Sequence, residues 1–181
     1  MSEHPTVSVL TTIFNRDAFL KECIESVQDS NFKDYEHILV DDQSSDNSVA
    51  IAESMAQDDP KLRLHVNAQN LGDYPNRNQA ANLAKGKYIK YLDADDQHGK
   101  WILDIMVDAM ETFPEAGLGL IDYSTDHLRG PIQLVPSETY QAFYSNQYSI
   151  FNRSPLGAII KKQAFQEVGG FSGKRMVGDF E

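Results

Sequence analysis

Residues Val7–Ile13 (VSVLTTI) form a β-branched run that reads as a buried strand. From 15 to 30 the apolar residues Phe19, Leu20, Cys23, Ile24 and Val27 recur at helical spacing, and Asp17 stands near the helix start. A second short strand, 36–40 (EHILV), runs directly into Asp41 and Asp42. The polar turn DQSSDNS that follows is rich in helix N-cap types and leads into a helix carrying Val49, Ala52, Met55 and Ala56. Leu62–Val66 reads as the third strand, and 75–85 as a helix with Ala80, Ala81 and Ala84 on it. Gly86 stands where a C′ glycine would end that helix. A fourth strand is expected within 87–92 (KYIKYL), a helix over about 100–113 with Pro114 just beyond it, and a fifth strand over 117–122 (GLGLID). Strands alternating with helices imply right-handed βαβ units and a mostly parallel sheet. The strand runs are apolar throughout, as strands covered on both faces should be. Beyond Tyr123 the periodicity weakens. Loops are expected over 124–155 with a helix near 138–146, then a strand over 157–161 and a short helix over 162–168. No repeat, low-complexity tract or linker interrupts the chain.

Length and composition narrow the class without changing this picture. The 181 residues suffice for one domain with a sizeable core, and 41% of them are hydrophobic. A net charge of −11 argues against a nucleic-acid partner or an anionic membrane surface. An anionic ligand would need a local source of positive charge, and a bound divalent cation is a natural one. The single cysteine, Cys23, cannot form an internal disulfide and reads as a small core residue, compatible with a reducing cytoplasm. The N-terminus (MSEHPT) lacks the layout of a signal peptide, and no apolar run approaches the ~20 residues of a membrane span. The expectation is a soluble, cytoplasmic domain.

In open parallel sheets ligands bind beyond the carboxyl ends of the strands. Strand one delivers Thr11, Thr12, Asn15 and Arg16 to that rim, strand two Asp41 and Asp42, strand four Asp93, Asp95 and Asp96, and strand five Asp122. Three carboxylates within four residues disfavour one another's ionisation unless something positive sits among them. Several nucleotide sites are excluded: no G-x-G-x-x-G follows strand one, and Gly99-Lys100 lacks the remainder of a P-loop. A phospho-acceptor receiver domain would need Asp after strand three and Lys after strand five, where this chain has Asn67 and Asp122-Tyr123. Hard carboxylate oxygens suit Mg²⁺ or Mn²⁺, ions that also take substrate phosphates into their shell. His98 and His127 are either additional rim ligands or solvated side chains. Trp101 is expected to pack in the core at the start of a helix, with ligand stacking the alternative. Tyr123, Tyr140, Tyr144 and Tyr148 would line a sugar cleft or pack the loops.

The stretches VSVLTTIFNR, ILVDDQSSDNS and NLGDYPNRNQAANLAKGKYIKYLDADD resemble, with nearly constant spacing, the inverting family-2 nucleotide-sugar glycosyltransferases. The resemblance runs from about 7 to 113 and implies the GT-A fold, a Rossmann-like, mostly parallel sheet with helices on both faces. It implies that Thr12, Asp41, Asp42 (the favoured acid of the pair) and Arg77 contact the nucleoside of the donor. Asp93-Ala94-Asp95-Asp96 would be the D-x-D element: Asp93 shapes the turn, Asp95 meets ribose or metal, and Asp95 or Asp96 ligates Mn²⁺ or Mg²⁺. The later stretch SPLGAIIKKQAFQEVGGFSGKRMVGDFE is similar to the family's segment leading to its catalytic base. That makes Asp179 the candidate base, without the usual preceding Glu, and Glu181 the fallback. The implied reaction moves a sugar from a nucleotide-diphosphate-sugar, most simply a UDP-sugar, to a hydroxyl of a glycan or lipid-linked acceptor, with inversion, in glycan or polysaccharide synthesis. Because family members continue further, the chain reads as one catalytic domain cut short: a donor half (1–123) and the start of an acceptor half (124–181). Missing C-terminal parts would then provide any peripheral attachment at the inner face of the membrane, and a homodimer stays open. The competing expectation is a sugar-nucleotide-binding module without transferase activity.

Overall fold

The structure, a computed structural model, describes residues 4–121, 133–145 and 155–172. Along the described chain run β1 (Val7–Ile13), α1 (Asp17–Gln28), β2 (Tyr35–Asp41), α2 (Ser48–Asp58), β3 (Leu62–Val66) and α3 (Asp73–Leu83). Then follow β4 (Tyr88–Tyr91), α4 (Ile102–Thr112), β5 (Leu118–Leu120), α5 (Pro136–Tyr144), a 3-10 turn (Pro155–Gly157), β6 (Ala158–Lys161) and α6 (Lys162–Glu167). One six-stranded sheet has the order β3-β2-β1-β4-β6-β5. β1 to β4 are mutually parallel, and β6 is antiparallel to both β4 and β5. The expected mixed, mostly parallel α/β sheet is therefore present, with the late strand β6 inserted beside β4.

Alternation along β1 sorts the core onto two faces. Val7 and Val9 pack with Cys23 and Val27 of α1, Tyr88, and Leu103, Met106 and Met110 of α4. Ile13 continues that face with Leu20, Ile24 and Ala52 of α1 and α2. Leu10, Ile38, Ile89 and Tyr91 point the other way, against Ala80 and Ala81 of α3 and Phe165 of α6. Cys23 is buried and free, as its helical phase predicts. No helix among the described residues is long and apolar enough to cross a membrane.

Gly86 departs from its expected role. α3 ends at Leu83 and its cap, Ala84, is extended, so Gly86 does not close the helix. A Cβ there would lie 2.5 Å from the Ser8 nitrogen and 2.8 Å from the Val7 carbonyl carbon. Gly86 lets the chain pass close to β1, and its N–H donates to Ser8 Oγ at 2.8 Å. Ser8 Oγ in turn donates to Glu36 Oε1 (2.7 Å), whose other oxygen takes Arg63 at 2.6 Å. This satisfied polar knot lies at the amino end of the strands, away from the rim.

The segment after α6 is fastened to α3. Asn78 Nδ2 donates to the Phe171 carbonyl at 2.8 Å, and Phe171 N–H donates back to Asn78 Oδ1 at 3.0 Å. The Phe171 ring packs among Tyr74, Tyr91 and Phe165.

Candidate active site

The carboxyl ends of the four parallel strands share one edge. Strand order reverses at β1, with β2 and β3 on one side and β4 on the other, so a crevice opens between the ends of β1 and β4. Among the described residues the two non-glycines with positive φ, Asn15 (54°) and Gln43 (66°), both stand at this edge. Asn15 N–H donates to Ser44 Oγ (2.9 Å), and Asn15 Oδ1 accepts from Ser45 N–H (2.8 Å). Arg16 N–H donates to Ser48 Oγ at 2.9 Å and Asp17 N–H to Asp46 Oδ2 at 3.0 Å. The polar DQSSDNS turn thus clamps the β1–α1 loop as well as starting α2. Thr12 stands half-buried just before it, level with Val40 in the sheet.

Asp41 and Asp42 are both buried but point apart. Asp41 Oδ1 accepts from Ser44 N–H at 2.9 Å, and its Oδ2 has no partner among the described residues. Asp42 is saturated: Oδ1 accepts from Leu71 N–H (2.7 Å) and Asn67 Nδ2 (2.8 Å), and Oδ2 from Gly72 N–H (2.8 Å). Asp42 therefore holds the loop that enters α3.

The acidic loop after β4 folds back when Asp96 N–H donates to the Asp93 carbonyl at 2.9 Å. Buried Ala94 draws its middle into the core beside Ile13 and Leu20. Asp93 takes Arg77 at 2.8 Å, and the same guanidinium takes Asp73 at 2.9 Å. Only 12% exposed, Arg77 is committed on both sides. Asp95 faces Arg16 across the crevice at 3.4 Å. Asp96 makes no ion pair among the described residues. Its carboxyl is raised above the ordinary range by partial burial and then by Asp93 and Asp95. Beneath the loop, Lys90 is fully buried and donates to the carbonyls of Leu156 and, at 3.5 Å, Tyr91. Burial brings its pKa down to about 8, against the pull of Asp93 and Asp96. Among the described residues, the positive charges beside the aspartates are thus Arg77, Arg16 and Lys90. Lys90 escaped sequence reasoning, although a lysine inside an apolar strand was its signal.

Two expectations are corrected. His98 does not face water: it is 5% exposed, its backbone N–H donates to Ser26 Oγ, and neither ring nitrogen has a partner among the described residues. The loop's return toward α1 carries the ring inward, where burial and then Lys90 lower its pKa to about 4. It lines a cavity of about 160 Å³ with Gln97, Gly99, Ile102 and Leu156. Trp101 does not pack in the core: it caps α4 with 65% of its surface exposed. Tyr140 and Tyr144 are exposed and stack on each other with ring centroids 6.4 Å apart. Asp122, Tyr123, His127, Tyr148, Asp179 and Glu181 lie outside the described residues.

No group of three or more His, Cys, Asp or Glu among the described residues is arranged to hold a metal ion by itself. Two adjacent hard carboxylates, one with its proton affinity raised by partial burial and then by its neighbours, instead fit Mg²⁺ or Mn²⁺ completed by waters and a substrate's phosphates.

Residues 8–169 match the family model described as "Glycosyl transferase family 2". The chain is 36% identical over 95 residues to a GalNAc(5)-diNAcBac-PP-undecaprenol beta-1,3-glucosyltransferase of Campylobacter jejuni, covering 51% of this chain and 30% of that protein. Its fold is similar to that of S. aureus TarS 1-349 in complex with UDP-GlcNAc (TM-score 0.69, 22% identity), covering 90% of this chain and 47% of that one. It is also similar to the mannosyltransferase PcManGT of Pyrobaculum calidifontis in complex with GDP-Man and Mn²⁺ (TM-score 0.71, 18% identity), covering 98% of this chain and 50% of that one. The chain spans half or less of each of these proteins' lengths.

Proposed function

From the premise that this chain belongs to glycosyl transferase family 2, we propose that it transfers a sugar from a nucleoside-diphosphate sugar to an acceptor hydroxyl with inversion. The observation that carries this reading is the placement of the acidic loop, Asp93 to Asp96, at the crevice where strand order reverses, beside Asp41 and Asp42. Two fold neighbours are complexes with UDP-GlcNAc and GDP-Man, and a relative carries a glucosyltransferase name, which supports a sugar on a nucleoside diphosphate as the donor class. A UDP-sugar is the donor we favour, and a glycan or lipid-linked glycan the acceptor.

In this reading Asp41, whose buried Oδ2 has no partner among the described residues, and Thr12 face the nucleoside. Asp42 acts indirectly by fixing the loop into α3, and Arg77 holds Asp93 and thereby the shape of the acidic turn. Asp95 and Asp96 would hold Mn²⁺ or Mg²⁺, whose chemistry is to offset charge on the departing diphosphate as a Lewis acid. Asp179 takes the proton of the acceptor hydroxyl as its oxygen attacks the anomeric carbon from the face opposite the leaving group.

A panel of nucleotide sugars screened by thermal unfolding tests the reading. A bound donor at about 100 Kd with Mn²⁺ stabilises by about 2.7 kcal/mol, on the order of 5–10 °C for a domain of this size. Asp96→Asn should lose that shift, whereas Asp179→Asn should keep it and lose turnover. An Asp96→Asn protein stabilised by donor and Mn²⁺ as well as the wild type would overturn the assignment.

A further inference from the structure

We propose that Arg16 binds the donor's diphosphate, and that its ion pair with Asp95 is a closed state of the crevice which the divalent cation opens. The inference deepens, and rests on, the functional reading above. Its basis is a comparison of the three cations that neighbour the acidic loop among the described residues. Arg77 is nearly buried and grips two carboxylates at 2.8 and 2.9 Å. Lys90 is fully buried with its ammonium on backbone carbonyls. Of these three, Arg16 is the one in a position to change partners: its side chain is 46% exposed, that of Asp95 is 47% exposed, and they meet at 3.4 Å. Half-exposed pairs of this kind are weakly held.

The position of the pair matters as much as its strength. Asp95 follows β4 and Arg16 follows β1, so their contact bridges the crevice at which strand order reverses. Arg16 is held over this gap by its backbone. Its N–H is fixed by Ser48 Oγ, the left-handed Asn15 turns the chain, and Nη1 rests on the carbonyls of Asn15 (3.1 Å) and Phe14 (3.4 Å). A divalent cation arriving at Asp95 competes with the guanidinium for the same oxygen and repels it. The diphosphate that completes the cation's shell then offers Arg16 an anion across the same gap, and a guanidinium fork suits phosphate oxygens. Arg16 thus opposes the metal alone and favours the metal with its diphosphate, two effects of opposite sign from one side chain.

That sign reversal is the test. Mn²⁺ alone, and then UDP, GDP, uridine and guanosine at saturating Mn²⁺, are titrated calorimetrically into the wild type, Arg16→Gln, Arg16→Lys and Lys21→Gln. Lys21 is an exposed cation one turn along α1, paired with Glu25, and controls for general loss of positive charge. Arg16→Gln should bind Mn²⁺ alone about two- to fivefold tighter. It should bind whichever nucleoside diphosphate the wild type takes about tenfold more weakly, with the bare nucleoside unchanged. Arg16→Lys should recover part of the diphosphate affinity, and Lys21→Gln should match the wild type in both arms. The inference fails if Arg16→Gln binds Mn²⁺ alone no more tightly than Lys21→Gln does. It fails equally if nucleoside and nucleoside diphosphate weaken together, or if the diphosphate is unaffected. A wild type that takes neither UDP nor GDP with Mn²⁺ sinks the functional reading and the diphosphate half of this inference with it. The Mn²⁺-alone arm still decides whether the ion pair competes with the cation.

Discussion

Asp41 and Asp42 show how one step along a chain separates two tasks. Asp41 ends β2 with an oxygen left over, while Asp42 takes three hydrogen bonds that set the loop into α3. Asp42→Asn would replace one acceptor oxygen by an NH2 facing a backbone N–H, that of Gly72 or that of Leu71. Hydrogen bonds to charged groups each contribute about 1.5–3 kcal/mol, so the variant should unfold at lower urea by at least that amount and also lose donor-induced stabilisation. The acidic cluster was legible in the sequence, and so was the presence of Arg16 and Arg77 near it; which carboxylate each one meets, and the whole of Lys90, were not. Arg16, Arg77 and Lys90 reach it through space, and only folding brings them there. Residue-scale electrostatics also predict the acid limb of stability. His37 is fully buried against Thr11, and burial, then His98, lowers its pKa from 6.5 to about 3. Between those values the unfolded chain binds the proton and the folded one does not, so stability falls as pH drops from 6.5 toward 3. The slope is up to about 1.4 kcal/mol per pH unit from this group. His37→Gln, followed by urea unfolding across pH 3 to 7, should flatten the limb by that slope. An unchanged limb would show that His37 already carries a proton in the fold.

At the scale of elements, local patterning succeeded wherever an element is decided by its own residues. β1 and β3 occupy the predicted spans, and the helices differ from theirs only at their ends. It failed where a neighbour decides. Gly86 looked like a helix terminator, yet its small size is required by β1 crossing at contact distance. Gly86→Ala should therefore cost about 1–3 kcal/mol by overpacking against backbone that cannot yield, read as a lower urea midpoint with an unchanged m-value. A helix-cap role would instead predict a loss confined to α3. Trp101 and His98 exchanged their expected environments because the acidic loop folds inward over α1, a path set by Cys23 donating to the Asp93 carbonyl and by Ser26 accepting from His98.

At the scale of the molecule, the net charge of −11 would leave the proposed anionic donor dependent on the cations gathered at one rim. Chelation should accordingly abolish nucleotide-induced stabilisation at low salt, and a thermal-shift titration with and without EDTA checks this. The architecture that builds the rim also makes it late. β6 pairs with β4 on the flank opposite β1, so β4 has no second neighbour until β6 has been made. At about 5–20 residues per second the ribosome needs on the order of 4–14 s to pass from one strand to the other. Throughout that interval Tyr88 and Ile89, which pair with Lys161 and Ile160 in the finished sheet, present an open edge in the crowded vicinity of the exit tunnel. A fragment ending at residue 123 should therefore precipitate or recruit chaperones where the whole chain stays dispersed, and nascent chains stalled between β5 and β6 should be the ones that ribosome-bound chaperones retain.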